Sequence, residues 1–244
     1  MYQKLNNPPV KIALFQLKFN AVNIKVFETT DTLLRHKFNI RKDNIEVGLN
    51  LDNTNIPLGK ARLNGTSDAK IKSYIYLTPD QKERVEVLED TLTYVSELPY
   101  SGWENFIAQV DNVLKIFTNV LSNVEIKRTS IRFINRFLLD EFENPEDYFT
   151  TVISKNGDTL YPLRQYGFRL QYDIPQTNIY AIVNQSVIND IVNKFAYVLD
   201  IDVLDKQSLF YEKETILSCM SNLRNIKNKI FFDSITEKTI RLCD

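Results

Sequence analysis

The chain predicts an α+β fold with a largely antiparallel sheet packed against a central amphipathic helix and C-terminal helices. Three observations lead there. Several segments alternate apolar and polar residues, as half-buried antiparallel strands do. The stretch Trp103–Leu121 carries one apolar stripe at helical spacing. No repeat of fixed period, low-complexity tract or linker interrupts the 244 residues, so a single domain over 1–244 is the economical reading.

In chain order, residues 1–9 form a short arm stiffened by Pro8 and Pro9, since proline fixes φ and removes a donor. Lys11 to Phe19 reads as a strand with Ala13, Phe15, Leu17 and Phe19 on one face. Ile45–Leu51 alternates throughout, and the polar, irregular stretch from Asp52 to Ser67 reads as a surface loop. Ile71–Leu77 is another strand, as is most of Val85–Val95. Ser101 and Glu104 have the spacing of a capping box, and the stripe Trp103, Phe106, Ile107, Val110, Leu114, Phe117 and Leu121 follows. A strand from Val124 to Leu139 comes next. Pro145, with Glu146 and Asp147, marks a second helix start. Gln165–Asp173 and Asn178–Asn184 make a hairpin around Pro175. Ser186 caps a third helix with Val187, Ile188, Ile191, Val192 and Phe195 facing inward. The C-terminal helical segment, 205–244, opens with a long helix from about Asp205 to Phe231, its stripe being Leu209, Ile216, Met220, Leu223 and Ile230. A short helix near Thr236 closes the chain.

Composition narrows the function. With one histidine, His36, and two cysteines, the chain lacks the parts for a His-dependent triad, a His-rich metal cage or a Cys₄ zinc site. Nor does it contain a phosphate-cradling glycine loop, a nucleophile elbow or a kinase signature. No catalytic residue and no cofactor is therefore assigned. The formal net charge of −1 gives no global pull toward nucleic acid or anionic membrane, so such binding needs a local patch. No apolar run approaches the ~20 residues of a bilayer span, and the first residues lack a signal-peptide core. Cys219 and Cys243 show no framework spacing and read as reduced thiols, which points to the cytoplasm.

The sharpest pattern is the strand Lys127–Phe137. Alternation puts Arg128, Arg132 and Arg136 on one face, successive stems about 13 Å apart. Arg169 lies on the polar face of the later hairpin. If the two strands are neighbours, four arginines converge on one anion or partner site. The competing reading is a solvated face whose charges pair across strands with Glu86, Glu125 or Asp90. Asp200 and Asp202 point the same way in an extended segment and suit a magnesium ion, whereas Asp205 suits a helix N-cap. Tyr74, Tyr76, Tyr166 and Tyr172 are candidate interface aromatics, the alternative being a sheet covered on both sides. His36 reads as a surface residue, the acidic run Asp140, Glu141, Glu143, Glu146 and Asp147 as a solvated turn, and Arg224, Lys227 and Lys229 as cations offsetting a helix dipole.

Several segments, taken in order, resemble a sporadically distributed family of bacterial proteins with no agreed activity. They are Pro8-Pro9-Val10 with its strand, Pro99-Tyr100-Ser101-Gly102-Trp103, Arg132-Phe133-Ile134-Asn135, Leu199–Val203, and Ile230-Phe231-Phe232-Asp233-Ser234-Ile235-Thr236-Glu237. The likeness spans nearly the whole chain. Its patchy distribution implies accessory roles such as antiviral defence or a toxin–antitoxin module, and it transfers no catalytic residue. Asn135, sharing the apolar face with Phe133, reads as a buried amide that fixes neighbouring backbone. The expectation is thus a non-enzymatic cytoplasmic module that binds another protein, a second copy of itself included. One alternative is nucleic-acid or nucleotide binding through the arginine face. A second is a metal-dependent phosphoesterase built on Asp200 and Asp202.

Overall fold

The computed structural model describes residues 4–49, 67–139, 145–152, 165–189 and 195–243. The strands are β1 (Val10–Phe19), β2 (Ile40–Leu49), β3 (Ser67–Leu77), β4 (Glu83–Leu88), β5 (Thr91–Ser96), β6 (Glu125–Leu139), β7 (Tyr166–Asp173), β8 (Ile179–Asn189), β9 (Phe195–Asp205) and β10 (Leu209–Phe210). The helices are α1 (Asp31–Arg35), α2 (Trp103–Leu121), α3 (Lys213–Ser234) and α4 (Glu237–Leu242). Among the described residues, all ten strands join one sheet in the order β2-β3-β4-β5-β1-β6-β9-β8-β7, with β10 added to β6. Every pairing among them is antiparallel. The fold is α+β.

Alternation dictates which side of this sheet is apolar. Ala13, Phe15, Leu17 and Phe19 of β1 are buried, as are Ile131, Phe133 and Phe137 of β6 and Leu199, Ile201 and Val203 of β9. The helices press on this side. Phe106 of α2 meets Phe133 edge-on at 5.5 Å, and Phe231 of α3 stacks against Phe137 at 6.4 Å. Each such ring contributes roughly 1.5–3 kcal/mol by leaving water. Asn135 is buried on the same side, and its Nδ2 donates to the Leu199 carbonyl at 2.9 Å, tying β6 to β9.

Several predicted elements are redrawn. The capping box does not form. Gly102, at φ +115°, is the N-cap of α2, while the Ser101 hydroxyl accepts from Asn105 Nδ2 at 3.0 Å. The positive φ that glycine tolerates moves the cap one residue on. Val85–Val95 is a hairpin of two strands, β4 and β5. The helix expected at Ser186 is the end of β8, with Ser186 opposite Val198 and Val187 opposite Tyr197. A short apolar run fits either period, and pairing with β9 decides it. Phe195 belongs to β9, and Ile191 and Val192 lie outside the described residues.

The long helix starts at Lys213, eight residues later than predicted, because β9 runs to Asp205 and Leu209–Phe210 pairs with Ile126 and Glu125. Asp205 is therefore a turn residue, its Oδ1 accepting from the Gln207 amide at 2.8 Å. The start at Pro145 yields only a 3-10 turn, Pro145–Asp147. Thr236 does cap α4. The loop predicted before Ser67, and Asp140, Glu141 and Glu143, lie outside the described residues.

Candidate functional site

Residues directly opposite in an antiparallel pair share a face, so register shows what surrounds the arginines. Arg132 stands opposite Asp202, and Ile134 opposite Asp200. The acidic pair and the arginine row thus lie on the same side of adjacent strands. Arg132 Nε and one terminal nitrogen donate to the two oxygens of Asp200 at 2.8 and 2.6 Å, a bidentate fork. Asn184 of β8 donates to Asp200 Oδ2 at 3.0 Å. The Asp200 hydrogen bonds hold the Arg132 guanidinium above its ordinary value, with burial opposing them. Arg128 donates to Gln16 Oε1 on β1. Two polar atoms on this face, Arg128 Nε and Asp202 Oδ1, are buried without a hydrogen-bond partner among the described residues.

Burial pushes the Asp202 carboxyl up to about 6, against the pull of Arg132 and Arg128. Between its usual 3.8 and about 6 the folded protein holds the extra proton, so this group lowers stability as pH rises through that window. Asp202→Asn should therefore raise stability by roughly 1–2 kcal/mol at pH 7.5 and converge on the wild type near pH 4, read by urea melts at both pH values.

The condition for four arginines to converge, neighbouring strands, is not met, although the charges of Arg132, Arg128 and Arg169 all act on Asp202. β9 and β8 lie between β6 and β7, so Arg169 is three strand spacings, about 14 Å, from the β6 row. Its neighbour is Asn184, itself opposite Asp200. Arg136 lies at the far end of β6, where it lines a separate cleft. The acids expected to pair across strands are engaged elsewhere. Glu86 accepts from Ser73, Glu125 pairs with Lys127, and Asp90 pairs with Lys18.

Tyr74 and Tyr76, predicted at an exposed face, are fully buried. Their hydroxyls donate to Glu28 and Asp31, carried by a 3-10 turn at Ile24–Thr30 and the start of α1, and the Arg41 guanidinium lies over the Tyr74 ring at 4.3 Å. Burial, then Glu28, pushes the Tyr74 phenol up to about 12. Tyr166 is half-buried, and Tyr172 is exposed at the sheet edge. His36 is exposed. Lys227, expected on a solvated helix end, is buried with its Nζ 4.5 Å from the centre of the Phe133 ring.

Two concavities that sequence reasoning missed open at one end of the sheet. A cleft of about 700 Å³ is lined by Pro8, Pro9, Leu98, Tyr100, Arg136 and Leu242, among others. A smaller pocket of about 220 Å³ shares Leu98, Pro99 and Tyr100 with it. There Lys37 Nζ bonds Glu83 Oε1 and Gln109 at 2.7 Å each, and the Tyr94 hydroxyl donates to the same Glu83 oxygen at 2.5 Å. Burial and then Glu83 raise the Tyr94 phenol above its ordinary value. These residues come from α2, β4, β5 and the segment after α1, and no local motif joins them. The Cys219 thiol is pushed up to about 12 by burial and by Asp205, so it is a poor nucleophile.

Among the described residues no group of three or more His, Cys, Asp or Glu side chains is placed to hold a metal ion. With both Asp200 oxygens held by Arg132, a cation there would first have to displace the guanidinium. Among the same residues no helix is long and apolar enough to cross a membrane. No protein-family model and no curated protein matches the chain.

Proposed function

We propose that the protein is a non-enzymatic binding module that docks another protein on the polar face of its sheet. The observation that carries this reading is the interlocking of both charge signs on that face. The Arg132–Asp200 fork is braced by Asn184, while Arg128 and Asp202 each keep one buried atom without a partner among the described residues. A polyanion site needs cations of one sign free to displace counterions. A protein surface supplies donors and acceptors together, which suits a face that carries both charge signs. The accessory defence or toxin–antitoxin role is proposed from the family resemblance alone.

The test is fluorescence anisotropy with a short labelled DNA duplex across a salt series. Saturable binding should be absent at about 50 mM salt, and Arg132→Ala or Arg169→Ala should change nothing. A site in which four arginines neutralise phosphates would give a log–log salt slope of about −3.6. Such a slope, made shallower by either substitution, would overturn the proposal in favour of nucleic-acid binding.

A further inference from the structure

The two edges of the sheet are built differently. At one end β2 exposes Lys42, Asp43 and Glu46 and breaks register between Asn44 and Ile45. Exposed charge and a bulge are the usual guards against edge-to-edge pairing. At the other end β7, Tyr-Gly-Phe-Arg-Leu-Gln-Tyr-Asp, pairs with β8 without a register break. It contains no proline and no lysine, and Gly167, Arg169, Gln171 and Tyr172 are exposed. Among the described residues it is the outermost strand. An eight-residue edge that pairs on one side only among the described residues is a template for another strand.

We propose that β7 is the edge through which two copies of this chain pair. Two copies of the chain would join by antiparallel β7–β7 pairing about a two-fold axis through Leu170. For the sheet to continue, residues of the same face must stand opposite one another, which places the axis on a residue. An axis at Arg169 sets two arginines face to face, and one at Gln171 brings Gly167 against the turn residue Pro175. An axis at Leu170 pairs Leu170 with itself, Phe168 with Tyr172, Arg169 with Gln171, and Gly167 with Asp173. Aromatic thus meets aromatic on the helix side, and cation meets amide on the polar side. The two polar faces become one continuous surface. This inference does not rest on the protein-docking reading, because a dimer without a further partner, or a partner bound by a monomer, would separate the two.

Sedimentation velocity of the full chain at about 100 µM should show a dimer, since a micromolar pair is nearly saturated there. Mild oxidation of Leu170→Cys should give a covalent dimer, whereas Asp173→Cys, with its Cα atoms about 20 Å apart, should not. Leu170 packs partly on the core, so exposed positions give a second route. An equimolar mixture of Arg169→Cys and Gln171→Cys should crosslink between the two variants, and neither should crosslink alone. Gln171→Arg should weaken the dimer roughly tenfold by facing Arg169 across the axis, and Arg169→Glu in the same chain should restore it. A monomer at this concentration would overturn the proposal. So would a dimer whose crosslinks ignore this register.

Discussion

Phe133→Ala lowers the unfolding free energy by about 3–5 kcal/mol, the range for a phenylalanine removed from a core. The ring is fully buried and meets Tyr100 edge-on at 5.7 Å and Phe106 at 5.5 Å, with Lys227 above it at 4.5 Å. It therefore joins the segment before α2, α2 itself and α3 to an interior strand of the sheet. Its removal leaves a cavity that three elements line, and a strand anchored on both sides by β1 and β9 cannot collapse to fill it. Ile134, next along the chain, faces the polar side and is only half-buried, so Ile134→Ala should cost less than half as much. Urea denaturation of both variants decides the point. Equal losses would mean that the two faces of β6 are not apolar and polar as described.

Lys227→Met stabilises the protein at pH 6, by about 1–4 kcal/mol. Lys227 is buried, and no carboxylate pairs with it among the described residues. The Phe133 and Phe231 rings lie 4.5 and 6.0 Å from its Nζ. Cation–π attraction is worth up to about 2 kcal/mol per desolvated contact, less than the several kcal/mol of desolvating an ammonium. Desolvation wins, helped by the positive charge of Arg224, and pulls the lysine down to about 7 from its usual 10.5. Between those values the unfolded chain holds the proton and the folded chain does not. Stability therefore rises with pH through that window, and the cost is full below about 7. The advantage of Lys227→Met should be largest at pH 6 and shrink toward pH 10. An advantage independent of pH, or a destabilised variant at pH 6, would contradict a buried, unpaired ammonium.

Long periodic segments were legible from sequence. β1 and β6 follow the predicted faces, and α2 does so except that Ile107 is half-buried and Val113 joins the stripe, because each repeats its period often enough to exclude the other. Residues 186–189 failed since so few residues fit either period. The tyrosines of β3 failed differently. Alternation placed Tyr74 and Tyr76 together, but side-chain polarity suggested the wrong side, and the acids that satisfy their hydroxyls lie 46 and 45 residues away. The candidate site shows the same limit. The arginine row and the acidic pair were both visible, yet their meeting depends on β6–β9 register across 68 residues, which neither motif encodes. Lys227 did carry a local signal, since it falls four residues after Leu223 and four before Phe231 on the buried stripe of α3. Its charge, read alone, concealed its position.

The most direct test of the docking surface places a photo-reactive residue at Ile182, which stands opposite Asp202 on the polar face. A matched control carries it at Lys115, exposed on the opposite side on α2. Irradiation in the native host, followed by mass spectrometry, should give one discrete adduct with another protein from position 182 and none from position 115. Equal capture at the two positions, or adducts at 182 with nucleic acid alone, would contradict the claim that this face binds a protein.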